Sequence, residues 1–257
     1  LNIAREIGNK PWEAKTLNQI GRYFHRQGDY LRAQSYYEAA ADIYQQLGNQ
    51  LSKSRVLVDL SLLQHHLGDD NASLEISCTA LEIMERFSRP KYIGQALTQA
   101  GRAYAGLDDF EQAERDFLGA IDNFAQSDQA NLLTEPQAGL ALIFLENADS
   151  TSALKYAEYV LNHIEAAQSS APTDQQDQVG AVPGLEGTHD AMWIYLVCCQ
   201  VLSKTGDSRA AKLIRTAHEL IQLQASKISD PDLHYSFLNN VKANQGIQSL
   251  YAQGAAG

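Results

Sequence analysis

The sequence predicts an all-α fold: a right-handed superhelical solenoid of stacked antiparallel helix pairs with a C-terminal capping helix. Three observations predict it. The chain repeats with a period of about 40 residues, its apolar positions follow helical spacing with small residues set into the stripe, and glycine–aspartate steps punctuate equivalent places.

The period emerges on aligning IGRYFHRQGDYLRAQSYYEAA, from Ile20, with AGRAYAGLDDFEQAERDFLGA, from Ala100. Gly21 meets Gly101, Arg22 meets Arg102, Phe24 meets Tyr104, Ala33 meets Ala113, Tyr37 meets Phe117 and Ala40 meets Ala120, all at an offset of 80. At an offset of 40, LSLLQHHLGDDNASLEISCTA supplies Ser61, Ser73, Ser77 and Ala80 at the equivalent positions, and at 120 LALIFLENADSTSALKYAEYV supplies Ala141, Phe144, Ala153 and Ala157. A fifth unit places Gly206 and Ala211 as Gly28 and Ala33 are placed, but 58 residues after the fourth instead of 40.

Taken in order, residues 1–10 read as the second helix of a preceding repeat, because Ile7-Gly8-Asn9 stands 40 residues ahead of Leu47-Gly48-Asn49. Four units follow over 11–49, 50–89, 90–129 and 130–165. Residues 166–188 hold two prolines and three glycines with almost no aliphatic periodicity, which predicts a flexible insertion loop. The fifth unit covers 189–228, and 229–257 reads as a capping helix and tail, started by Ser229-Asp230-Pro231 and packed through Leu233, Phe237 and Leu238. Within the first unit, Leu17, Ile20, Gly21 and Phe24 fall at i, i+3, i+4 and i+7, and Ala33, Tyr37 and Ala40 form the second stripe. At Gly28-Asp29, Gly68-Asp69 and Gly206-Asp207 the glycine suits a left-handed helix end and the aspartate caps the next helix; Asp108-Asp109 takes the same place. No unit buries its apolar face alone, so neighbours must stack.

Composition narrows the function. Asp plus Glu number 31 against 20 Lys plus Arg, and the charge of −11 argues against direct gripping of nucleic acid or an anionic membrane. No apolar run approaches the roughly 20 residues of a membrane span, and the N-terminal stretch lacks a signal peptide's apolar core, so a cytoplasmic location is expected. Cys78, Cys198 and Cys199 suggest neither a disulfide framework nor a metal knuckle. Phosphate-cradling, nucleophile-elbow and zinc-protease motifs are absent from the sequence, so no enzyme, no metal and no cofactor is expected. Among seven histidines only the adjacent His65-His66 pair is suggestive, and a metal site there would need His25 from the preceding unit.

The small residues at the eighth, twentieth and twenty-seventh places of each unit, with aromatics at the eleventh and twenty-fourth, resemble the tetratricopeptide repeat. The likeness is strongest in the first and third units. The second carries Gln64 and Ser77 where aromatics belong, and the fourth and fifth carry Ala157 and Arg215 at the later one. The long period is similar to that of kinesin light chains and MalT-like bacterial regulators. Tyr235-Ser236-Phe237-Leu238-Asn239-Asn240-Val241 resembles the segment closing the repeats of large bacterial signalling ATPases and activators, with Lys242-Ala243-Asn244 replacing its proline–glutamate step.

The resemblance implies a groove lined by the first helix of each unit: Lys15, Asn18, Arg22 and His25, then Arg55 and His65, then Gln95, Thr98 and Arg102, with Glu135 and Trp193 further along. It also implies a protein or peptide ligand, or another domain of the same polypeptide. Arg22, Arg55 and Arg102 make an acidic ligand the expectation, and on that reading Arg22→Glu leaves folding intact. The chaperone-tail clamp of some relatives is not reproduced, since Asn18 and Arg22 stand where it has lysine and asparagine. The function implied is a non-enzymatic sensor or docking part of a larger bacterial regulator; the alternative is a free-standing scaffold or co-chaperone-like adaptor.

Overall fold

The computed structural model describes residues 1–127, 129–170 and 184–255; among them are thirteen α-helices, one short 3-10 helix and no strand. A short α1 (Asn2–Glu6) leads into the pairs α2 (Lys10–Arg26) and α3 (Tyr30–Gln46), α4 (Gln50–Leu67) and α5 (Asp70–Arg86), and α6 (Pro90–Gly106) and α7 (Phe110–Gln126). A 3-10 turn, Ala130–Leu133, precedes α8 (Thr134–Glu146) and α9 (Ser150–Ser170). The fifth pair is α10 (Ala191–Lys204) and α11 (Ala210–Ala225), followed by α12 (Pro231–Asn239) and α13 (Lys242–Ala255).

The turns work as their residues predict. The side chains of Asn9, Asp29, Asn49, Asp69 and Asp109 each accept the backbone N–H three residues on, satisfying a donor that the new helix leaves open. The residue before each cap is left-handed: Gly8, Gly28, Gly48 and Gly68 in four turns, but Asp108 and Ala148, both at φ 60°, in two others. Glycine takes that region without a Cβ penalty, whereas Asp108 and Ala148 hold it under strain.

Small residues and aromatics interlock between helices. A Cβ on Gly21 would lie 2.6 Å from the Tyr37 ring, and Phe117 sits as closely against both Gly101 and Gly139. Ala33, Ala40, Ala113 and Ala120 are fully buried beside them. The largest apolar cluster spans α8 to α13, with Ile194, Cys198, Ile221, Phe237 and Ile247 in it.

Two segments differ from expectation. The loop expected over 166–188 begins later, because α9 continues through Ser170, and its far end packs through buried Leu185; residues 171–183 lie outside the described residues. In place of one capping helix and a tail there are two helices, because Ala243 and Ile247 give residues after Asn240 their own apolar face against α10 and α11.

The cap also returns to the beginning of the solenoid. Asn240 Nδ2 donates to the Gly28 carbonyl and Tyr30 Oη donates to the Asn240 carbonyl, each at 3.3 Å. Gly28 is required twice over: its φ is +75°, and a Cβ there would lie 2.7 Å from the Ser236 carbonyl oxygen. The first repeat and the cap thus close a circle across the chain.

Candidate ligand cavity

The first helices of the units turn their polar residues inward, where charges from all five units meet. Asn18 Nδ2 and Arg22 Nε on α2 both donate to Asp59 Oδ2 on α4, at 3.1 and 2.8 Å. One turn further along α2, His25 Nε2 lies 2.9 Å from His66 Nδ1, and His66 Nε2 lies 3.0 Å from Asp190 Oδ2. Arg102 on α6 donates from Nη1 to Glu135 Oε1 on α8 and from Nη2 to Asp190 Oδ2, both at 3.2 Å. Its guanidinium lies 3.9 Å from the centre of the Trp193 ring. His189 donates its backbone N–H to Glu135 Oε2 and places its ring between Glu135 and Asp59. Asp190 is also the cap of α10, accepting the Trp193 N–H on Oδ1.

These contacts set the charge states. Burial works to raise the Asp190 carboxyl, but the hydrogen bond from the His66 ring, the Arg102 charge and the Trp193 N–H outweigh it and hold the group far below the usual carboxylate range. Glu135 is likewise lowered against its burial, by His189 and Arg102. Asp59 raises the Arg22 guanidinium. His25 is pushed well below the ordinary imidazole value, first by burial and then by His66.

Over this network lies a cavity of about 590 Å³. Arg22, His25, Tyr30 and Tyr37 line it from the first repeat, and the strap 185–190 leading into α10 forms a second wall. Phe237, Val241 and Asn244 close it from the cap. Arg26 and Lys227 also border it, and among the described residues neither has an acidic partner within ion-pair distance. Asn244 is 0% exposed; its Nδ2 donates to the Phe237 carbonyl, leaving Oδ1 without a hydrogen-bond partner.

Of the nine residues expected to line a groove, Arg22 and His25 line the cavity. Asn18 is buried beside it, bonded to Asp59. Lys15 is exposed outside it, and Arg55 is exposed with its guanidinium over the Tyr92 ring. His65 bonds Asp70 instead of facing inward, and half-buried Gln95 is not on the cavity wall. Thr98 is buried, with its hydroxyl donating to the Gly94 carbonyl. Arg102 is 2% exposed and held by two carboxylates, so the expected cluster of three available arginines does not exist. Arg22→Glu is not harmless either, because it would set a carboxylate against buried Asp59.

Asp59, His189 and Asp190 are the residues that sequence reasoning missed, and His66, suggestive there only as a metal candidate beside His65, takes the groove place expected of His65. The contacts Asn18–Asp59 and His25–His66 each span 41 residues, one more than the period. One position is about 100° around a helix, which turns Asp59 and His66, rather than Val58 and His65, toward the preceding unit. Among the described residues no cluster of three or more His, Cys, Asp or Glu is arranged to hold a metal ion, and His25 pairs with His66, not with His65. No helix among them is long and apolar enough to cross a membrane.

Two overlapping stretches, residues 1–46 and 12–86, match the family model described as tetratricopeptide repeat. Among solved structures, the chain is similar to BtubC (BKLC) from P. vanneervenii at 16% identity and a TM-score of 0.59, covering 90% of this chain and 88% of that one. It is similar to a Rap protein complexed with competence and sporulation factor at 15% identity and a TM-score of 0.60, covering 95% of this chain and 66% of the other. Aspartyl phosphate phosphatase F from Bacillus subtilis matches at 14% identity and a TM-score of 0.60, over 99% of this chain and 63% of that one. The chain therefore spans somewhat under two thirds of the last of these. Comparison with curated proteins finds no match.

Proposed function

We propose that this helical repeat chain, whose residues 1–86 match the tetratricopeptide repeat, is a protein–protein interaction module that binds an extended protein or peptide segment in the cavity between its first repeat and its cap. The observation that carries this reading is the pairing of unused groups on that wall. Arg26 and Lys227 both border the cavity and lack anions, which an acidic side chain or terminal carboxylate would supply. Phe237, Val241 and Leu62 give apolar surface between them. The acidic preference inferred from the sequence is retained but assigned to different cations. The similar structure of a Rap protein complexed with competence and sporulation factor supports a ligand-binding role for this architecture.

In this reading the module has no catalytic role and serves as the sensor or docking part of a larger cytoplasmic bacterial regulator, and its charge of −11 disfavours nucleic acid. The alternative is a free-standing scaffold or co-chaperone-like adaptor.

Selection of displayed random hexapeptides on the whole chain tests the site. The expected result is enrichment of sequences with an acidic residue, lost when Arg26→Glu and Lys227→Glu are combined. Equal enrichment on both proteins would remove the cavity as the binding site.

A further inference from the structure

Four polar groups form a single row along the cavity floor. Tyr37 Oη is 3.3 Å from His25 Nδ1, His25 Nε2 is 2.9 Å from His66 Nδ1, and His66 Nε2 is 3.0 Å from Asp190 Oδ2. One end of the row has fixed polarity. Asp190 is an ionised acceptor, so the His66 nitrogen facing it must carry a proton. Arg102 Nη2 lies 3.5 Å from that same nitrogen, as expected where two donors converge on one carboxylate oxygen. With His66 neutral, its Nδ1 accepts, so His25 must donate from Nε2; His25 Nδ1 then accepts, so Tyr37 must donate its O–H. Every group is satisfied and both imidazoles are neutral, in keeping with the downward push on His25.

One added proton leaves the row fully bonded whether its charge rests on His25 or on His66, and the Asp190 carboxylate beside His66 favours His66. It enters at His25 Nδ1, the Nε2 proton of His25 passes to His66 Nδ1, and the charge comes to rest on His66 beside Asp190. His25 now donates to the Tyr37 oxygen, which frees the Tyr37 O–H to turn into the cavity it lines. We propose that the Tyr37–His25–His66–Asp190 row is a proton-operated polarity switch of the ligand cavity, presenting an acceptor at Tyr37 when neutral and a donor when it holds one extra proton. A ligand placing a carboxylate against Tyr37 is therefore bound together with one proton, and more tightly as the pH falls. The inference rests on the cavity being the binding site.

The groups facing the row act on it in both directions. His25 has Tyr30 and Tyr37 from α3, His66 from α4, Arg102 from α6, and His189 and Asp190 from the strap. His66 has His65, Tyr30, Arg102 and Asp190 around it. Tyr37 is flanked by the charges of Asp59, Arg22 and Arg26. Arg102 and His189 oppose the extra proton; Asp190 and a carboxylate in the cavity favour it.

Long-range proton–nitrogen NMR of the whole chain with labelled histidine reads the ring protons directly. At pH 8 both His25 and His66 are expected as the Nε2–H form. On acidification His66 becomes doubly protonated at the same midpoint at which His25 changes to Nδ1–H. Asp190→Asn keeps the cap of α10 and is expected to give mixed ring forms at pH 8. Sodium acetate, compared with sodium chloride at equal ionic strength, is expected to raise the midpoint in the wild type and not in Tyr37→Phe. An Nδ1–H ring in either residue at pH 8, separate midpoints, or no acetate-specific rise would each overturn the switch. Failure of the binding site would instead appear in peptide selection, with the ring forms at pH 8 as described.

Discussion

Arg102 joins α6 to α8 and to the start of α10, and it does so from the interior. Its partners Glu135 and Asp190 are nearly buried as well, so replacing the guanidinium by an apolar chain strands two carboxylates. Arg102→Met is expected to lose about 3–5 kcal/mol of unfolding free energy. Arg55→Met, which removes an exposed arginine over Tyr92, is expected to lose no more than about 1 kcal/mol. Urea titration of the two variants checks the contrast. His25 supplies a pH dependence: its pKa is lowered in the folded chain, so protons favour the unfolded chain and stability falls as pH drops below about 6.5, the unfolded value. The measurement is the urea midpoint at pH 7.5 and 5.5, and His25→Gln is expected to flatten the fall. Asp190 adds a loss of the same sign only at far lower pH, below the ordinary carboxylate value. At this scale the sequence is least readable. Arg22 and Arg102 look alike at an offset of 80, yet one borders the cavity and the other is sealed by Asp190, a residue 88 positions away that no local pattern connects to it.

The helices themselves are legible because their causes are local: spacing, a cap, a left-handed turn. Ala148 shows what the pattern tolerates. It holds φ 60° where equivalent turns have glycine, it is exposed, and Asp149 behind it still caps α9 through the Ser152 N–H. Ala148→Gly is expected to stabilise the chain by about 1 kcal/mol, read as a higher thermal midpoint. The opposite result is expected at Gly21, where any side chain meets the Tyr37 ring: Gly21→Leu overpacks the contact between α2 and α3 and costs about 1–3 kcal/mol. Ala33→Leu, at a fully buried position on the facing helix, is expected to do the same. The second cap helix was not legible, since Lys242-Ala243-Asn244 interrupts the resemblance just where the apolar positions Ala243 and Ile247 begin a new face. The strap went unread for a related reason: its one buried apolar residue, Leu185, sits among glycines and carries no period.

Across the whole molecule, contacts between distant units change how the repeats depend on one another. In an open array each unit touches only its neighbours and unfolding can begin anywhere. Here His66 is tied to Asp190 across 124 residues and Gly28 to Asn240 across 212. A single cooperative transition is expected by hydrogen exchange, with Asp190→Ala separating the protection of α10–α13 from that of α2–α5. The two links differ in strength. His66 and Arg102 meet a buried carboxylate, whereas the cap meets the first turn through two neutral hydrogen bonds at 3.3 Å, each worth about 1 kcal/mol. An open helical array under tension is a spring that lengthens evenly along its axis. This one is a hoop with a clasp at Asn240, so a pull on its two ends is borne first by that clasp, and the extension appears as one small early step before any repeat gives way.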